Sequence, residues 1–154
     1  MIEIYTDGSS KGNPGPGGWA AIILGDKTVQ EIGGREEHTT NNRMELNAAI
    51  KSLETMSSKL EAVIYTDSEY VMKGITEWVH NWQRKNWKTA AKKPVLNQDL
   101  WQKLLEVCEN KNLEWKYVAG HSGDKLNDRC DEIATEFADG LNPRLYNGPR
   151  EKYK

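Results

Sequence analysis

Three strand patterns in succession, followed by strand–helix alternation, restrict the fold of this chain more than any other feature. Ile2–Thr6 alternates branched and polar residues, Trp19–Leu24 is a second strand, and Gly25-Asp26-Lys27 turns the chain into a third, Thr28–Ile32. Together they predict an antiparallel meander. The period then changes. Thr40-Asn41-Asn42 offers N-caps for a helix to about Met56, with Leu46, Ile50 and Leu53 on one face. Ala62–Thr66 is a fourth strand. Asp67 and Ser68 cap a helix through Val79, and Asn97–Glu109 is a further helix with Leu100, Leu104 and Val107 or Cys108 inward. Leu113–Val118 is a fifth strand and Leu126–Ala138 the last helix. The order βββαβααβα predicts an α/β fold, a five-stranded mixed sheet, parallel in part, with helices packed on it. The 154 residues fit one domain, 1–154, with one core. Residues 139–154 include Pro143 and Pro149 and read as a loosely ordered tail.

A hydrophobic share of 37% and a charged share of 29% suit a soluble globular chain. No apolar run approaches the roughly 20 residues of a membrane span, and Met1-Ile2-Glu3-Ile4-Tyr5 lacks the regions of a signal peptide. Cys108 and Cys130 match no metal spacing and read as small core residues, which suits a reducing cytoplasm. The net charge of −2 argues against a non-specific DNA-coating protein, but the charge is unevenly spread. Trp78 to Gln98 contains no acid, while the same stretch carries Arg84, Lys85, Lys88, Lys92 and Lys93.

The acids suggest chemistry by their placement. Thr6-Asp7-Gly8-Ser9 ends the first strand and Thr66-Asp67-Ser68 the fourth, as near copies. If those strands are neighbours, Asp7 and Asp67 emerge side by side. Glu45 lies early in the next helix, at the edge of its apolar face, and Asp131 lies in the last helix, four residues after Asn127 on the same face. Taken singly, an Asp after a strand is a cap or turn former, and a Glu early in a helix is a dipole partner. Taken together, clustered carboxylates repel and resist burial unless a cation is present. Ligands that are all oxygen point to a hard ion, Mg²⁺ or Mn²⁺.

Five motifs carry a resemblance: Tyr5-Thr6-Asp7-Gly8-Ser9, Thr40-Asn41-Asn42-Arg43-Met44-Glu45, Tyr65-Thr66-Asp67-Ser68, Gly120-His121-Ser122-Gly123 and Asn127-Asp128-Arg129-Cys130-Asp131. In order and over Ile2 to about Ala138, they resemble the bacterial-type ribonuclease H family. The resemblance implies the ribonuclease H fold and endonucleolytic cleavage of the RNA strand of RNA–DNA hybrids, leaving 5′-phosphate and 3′-hydroxyl ends. It implies Asp7, Glu45, Asp67 and Asp131 as metal-binding acids and His121 as an auxiliary proton carrier. Two Mg²⁺ ions roughly 4 Å apart would straddle the scissile phosphate, with Asp7 bridging, Glu45 and Asp67 on the leaving-group side and Asp131 on the water side. His38 and His80 lack such a context and read as structural.

The expected partner is the hybrid duplex, met by the chain as a monomer in the cytoplasm with no membrane. Arg84, Lys85, Lys88, Lys92 and Lys93 would meet phosphates, and Trp82 and Trp87 sugars of the DNA strand, as in the family's basic protrusion. The side chain of Asn13 and backbone around it, with Asn41 and Asn42, are candidates for 2′-hydroxyl contacts, and Thr40 and Asn97 resemble a pocket for a DNA phosphate. Where the family often has an amide after Asp-Ser, this chain has Glu69, which cannot donate to RNA and receives no binding role. Integrases and junction resolvases share the fold. A non-catalytic hybrid-binding module is a second alternative, but it would not need four acids facing a polyanion, and an actin-like phosphotransferase domain is a third, which would need a second lobe to enclose a nucleotide.

Overall fold

The computed structural model describes residues 1–57, 60–120 and 123–153. Among them, β1 (Ile2–Ser10), β2 (Gly15–Leu24) and β3 (Thr28–Thr39) form the expected meander, and β4 (Glu61–Thr66) and β5 (Asn112–Tyr117) extend it on the other side. The sheet order is β5-β4-β1-β2-β3-β6. β1 pairs antiparallel with β2 and parallel with β4, and β4 pairs parallel with β5, so the sheet is mixed as expected.

The sixth strand corrects the expected five. β6 (Asn147–Pro149) pairs antiparallel with Thr28–Gln30 and lies in the segment expected to be a loose tail. The physical reason lies on β3. Val29 and Glu31 both point into the structure, and the buried Glu31 takes hydrogen bonds from the Tyr146 N–H and the Tyr153 hydroxyl. The strands of the meander are also longer than their apolar runs, because glycine-rich and polar ends pair as well. Ser10 opposes Gly17 and Gly15 opposes Thr39, with a bulge between Gly15 and Gly17.

The helices follow their periodicity. α1 (Asn41–Glu54) is capped by the Thr40 hydroxyl, which accepts from the Arg43 N–H at 3.2 Å. α2 (Glu69–Lys73), a wider π turn (Gly74–Trp78) and α3 (Val79–Arg84) form one helical run, longer than the expected helix ending at Val79. It continues because Trp82 packs on Trp101, ring centres 5.4 Å apart. α4 (Gln98–Cys108) and α5 (Lys125–Ala138) complete the set. Alternation along β1 divides the core. Ile4 joins Leu46, Ile50, Leu53, Val71, Trp101 and Leu104 on the face of α1, α2 and α4. Tyr5 joins Ile22, Leu24, Cys130 and Ile133 on the face of α5.

Candidate metal centre and nucleic-acid interface

Thr6 and Thr66 are register partners in the parallel β1–β4 pair, so Asp7 and Asp67 follow side by side at one sheet edge. Asp7 is only 3% exposed. Its Oδ1 accepts from the Gly8 N–H at 2.8 Å, while its Oδ2 is buried and, among the described residues, has no hydrogen-bond partner. Gly8 brings in the third acid. A Cβ at Gly8 would stand 2.4 Å from the Glu45 nitrogen, so only glycine lets the start of α1 press onto β1 this closely. Glu45 is thereby carried to the strand end, where its Oε1 is also buried and unpartnered. One carboxylate oxygen from each of Asp7, Glu45 and Asp67 lies within 4.8 Å of the others.

α5 supplies the fourth acid. A Cβ at Gly18 would fall 2.2 Å from the Ala134 carbonyl oxygen, so the bare backbone of β2 seats this helix. The Cys130 thiol donates to the Tyr5 carbonyl at 3.3 Å. Asp131, partly exposed, is near enough for its charge to act on Asp7 and Asp67, though it stands outside the tight group of three.

The electrostatics follow from this crowding. Burial, and then the charge of Asp67, pushes Asp7 from 3.8 up to about 8, with the Gly8 N–H pulling the other way. Burial, joined by the charges of Asp7 and Asp67, raises Glu45 well above the carboxylate range. Burial also raises Asp67, against the Asn127 amide, which favours its ionised form. Acids in this state are short of positive charge. Two orphaned buried oxygens in an all-carboxylate set fit a hard divalent cation and offer nothing to a thiophilic one.

Gly120, which precedes His121 in the sequence, lies against this cluster, since a Cβ on it would stand 3.1 Å from Asp67 Oδ2. His121 itself lies outside the described residues. His38 and His80 are exposed.

The expected substrate contacts gather in two places. Asn13, Thr40, Asn41, Asn42 and Asn97 line one groove of about 240 Å³. Asn13 Oδ1 accepts from the Asn41 N–H at 3.0 Å, tying the glycine-rich loop to the start of α1. Asn97 has a left-handed backbone, φ +61°. Its Oδ1 accepts from Arg43 at 3.2 Å and its amide donates to the Tyr70 hydroxyl at 3.1 Å. Sequence reasoning missed two features here. Leu96, 74% exposed, lines the same groove. Arg43 also forks onto Asp99, at 3.0 and 2.8 Å. Its place inside the Asn42-Arg43-Met44 motif, and Asp99 as the first acid after the basic stretch, were the available signals.

The second place is the basic stretch. After α3 the chain closes on itself, with Lys88 bridged to Pro94 and the Val95 N–H donating to the Trp87 carbonyl at 3.0 Å. Arg84, Lys85, Lys88, Lys92 and Lys93 are all exposed, and among the described residues none pairs with an acid. Trp82 and Trp87 are half-buried, their ring centres 6.0 Å apart, and both pack against the core, so each offers only part of its ring to a ligand.

Sheet and site define a class of α/β chain with an all-carboxylate candidate metal centre at the ends of neighbouring strands. A family model described as RNase H matches residues 1–139. A ribonuclease H of Cyanothece sp. is 56% identical over 148 residues, covering 94% of each chain. Among solved structures, LC9-RNase H1, a type 1 RNase H with the type 2 active-site motif, aligns with a TM-score of 0.83 at 29% identity, covering 96% of this chain and 77% of that one. LC11-RNase H1, solved in complex with RNA/DNA hybrid, aligns with a TM-score of 0.68 at 26% identity, covering 91% of this chain and 98% of that one. The chain belongs to the ribonuclease H family, a family of enzymes. None of its described helices is long and apolar enough to cross a membrane.

Proposed function

We propose that this chain is an endonuclease that hydrolyses the RNA strand of RNA–DNA hybrids, with Mg²⁺ as its ion and Mn²⁺ as a substitute. The observation that carries the reading is the convergence of Asp7, Glu45 and Asp67, with two buried oxygens unpartnered among the described residues. Such a cluster offers a phosphate backbone no positive charge by itself, so a merely hybrid-binding module would gain nothing from it. Asp7, Glu45 and Asp67 would hold one cation, and Asp7 with Asp131 a second. The chemistry such ions supply when bound is a more acidic water and neutralised charge on the leaving oxygen.

The remaining roles belong to the chain. Asn13, Asn41 and Asn42 face the RNA strand, where 2′-hydroxyls distinguish RNA from DNA. Thr40 and Asn97 take a DNA phosphate. Arg84, Lys85, Lys88, Lys92 and Lys93 hold the duplex without reading its sequence, beside Trp82 and Trp87. His121 carries a proton, a role that imidazole suits near neutral pH. The relatedness to a family member solved with RNA/DNA hybrid supports this substrate over the DNA joined or cut by other enzymes of the fold.

A labelled-hybrid cleavage assay tests the reading. With Mg²⁺ the chain should cut the RNA strand to 5′-phosphate and 3′-hydroxyl ends, and EDTA should stop it. Duplex DNA and single-stranded RNA should stay intact. Cutting of duplex DNA, or no cutting of the hybrid by protein shown to be folded, overturns it.

A further inference from the structure

Arg129 stands on α5, two residues before Asp131, and is gripped from outside the helix. Its Nε and Nη2 donate to Glu31 Oε2 and Oε1 at 2.9 and 3.0 Å. Nη2 also reaches the Arg144 carbonyl at 3.0 Å, and Nη1 pairs with Glu132. The Glu31 side chain is 2% exposed, and a carboxylate that deep is tolerated only when its acceptors are filled. The Tyr146 N–H at 2.8 Å and the Tyr153 hydroxyl at 2.7 Å complete the set. Among the described residues, every donor to the Glu31 carboxylate apart from Arg129 comes from the segment after residue 139, where the RNase H match ends.

We propose that the C-terminal segment is a strap. Through Glu31 and Tyr153 it holds Arg129, and so orients the first half of α5, which carries Asp131 towards Asp7. The proposal rests on the ribonuclease role of Asp131 given above. The second half of α5 has anchors of its own, with Ile133 and Ala134 in the core and the Ala134 carbonyl seated on Gly18. The first half has the Asp124 cap, the buried Asn127 and Cys130, and this grip. Glu31, Arg129 and Tyr153 are positioning residues, since their hydrogen bonds run to one another, to Glu132 and to the C-terminal segment rather than to the catalytic acids.

The test uses Tyr153→Phe and Glu31→Gln in the full chain. Tyr153→Phe removes one donor and keeps the ring against Tyr146, 5.1 Å away, so it remains informative if Glu31→Gln fails to fold. On labelled hybrid, kcat should fall about threefold in Tyr153→Phe and about tenfold in Glu31→Gln, with KM within about twofold of wild type. In the metal-free protein, amide exchange should rise by about fivefold or more over residues 125–131 and stay unchanged in α1. Combined with Asp131→Asn, Tyr153→Phe should cost nothing further, because the strap acts through that side chain. Unchanged kcat and exchange in Tyr153→Phe, or a loss that adds in full to that of Asp131→Asn, overturns the strap alone. A folded wild type inert on hybrid removes the ribonuclease reading, and the strap's purpose with it.

Discussion

Asp7 combines deep burial with a missing partner, and the two have opposite remedies. Protonation relieves the burial, and a cation supplies the partner. A folded-state pKa of about 8 against 3.8 in the unfolded chain means that the folded chain binds the extra proton between those values. The stability tied to that proton is therefore fully present below about pH 4 and is lost as pH rises towards about 8. Asp7→Asn removes the titration and keeps the shape. Denaturant unfolding in EDTA should find this variant clearly more stable than wild type at about pH 8 and near wild type at about pH 4. Equal stabilities at the higher pH would show that Asp7 is not under strain. The acids themselves were legible in the sequence because strand ends and helix starts are local signals. The role of Gly8 was not, since it depends on how closely α1 approaches β1, which no local pattern encodes.

At the scale of elements, the basic stretch and the helical run before it behave as one unit. Trp78, Trp82 and Trp101 pack edge to face or tilted, with Trp82 at the centre, and Trp87 continues the chain of rings into the loop. Such packing fixes the loop on the core while its lysines stay in water. The sequence showed the charge run but not what holds it against the core. It also could not show how deeply Trp82 and Trp87 sit, because both have polar neighbours in the chain and apolar ones only in space. Replacing Lys85, Lys88, Lys92 and Lys93 by Ala should weaken hybrid binding. The slope of log K against log salt should flatten by roughly one for each phosphate that a lysine no longer neutralises. An unchanged slope in a binding titration removes this loop from the interface.

For the whole molecule, the convergence of acids follows from the sheet order. Parallel pairing of β1 and β4 sets Asp7 beside Asp67, and helices on both faces bring Glu45 and Asp131 to the same edge. The elements and the mixed sheet were readable because strand and helix periods alternate, whereas the adjacency of β1 and β4 was only a condition there. The sixth strand was not readable. Prolines made the C-terminal segment look loose, and its tie, Glu31, lies 115 and 122 residues from Tyr146 and Tyr153. An acid on the same strand face as Val29 was the available hint that a distant partner existed. The most direct test of a cation-dependent acid cluster is a calorimetric titration of MgCl₂ into the chelator-treated wild type near neutral pH, beside Asp7→Asn. Saturable binding by the wild type with release of protons is expected, because Asp7, pushed up to about 8, gives up its proton when a cation takes its place, and binding should be lost in the variant. No binding by the wild type, or equal binding by both, would contradict it.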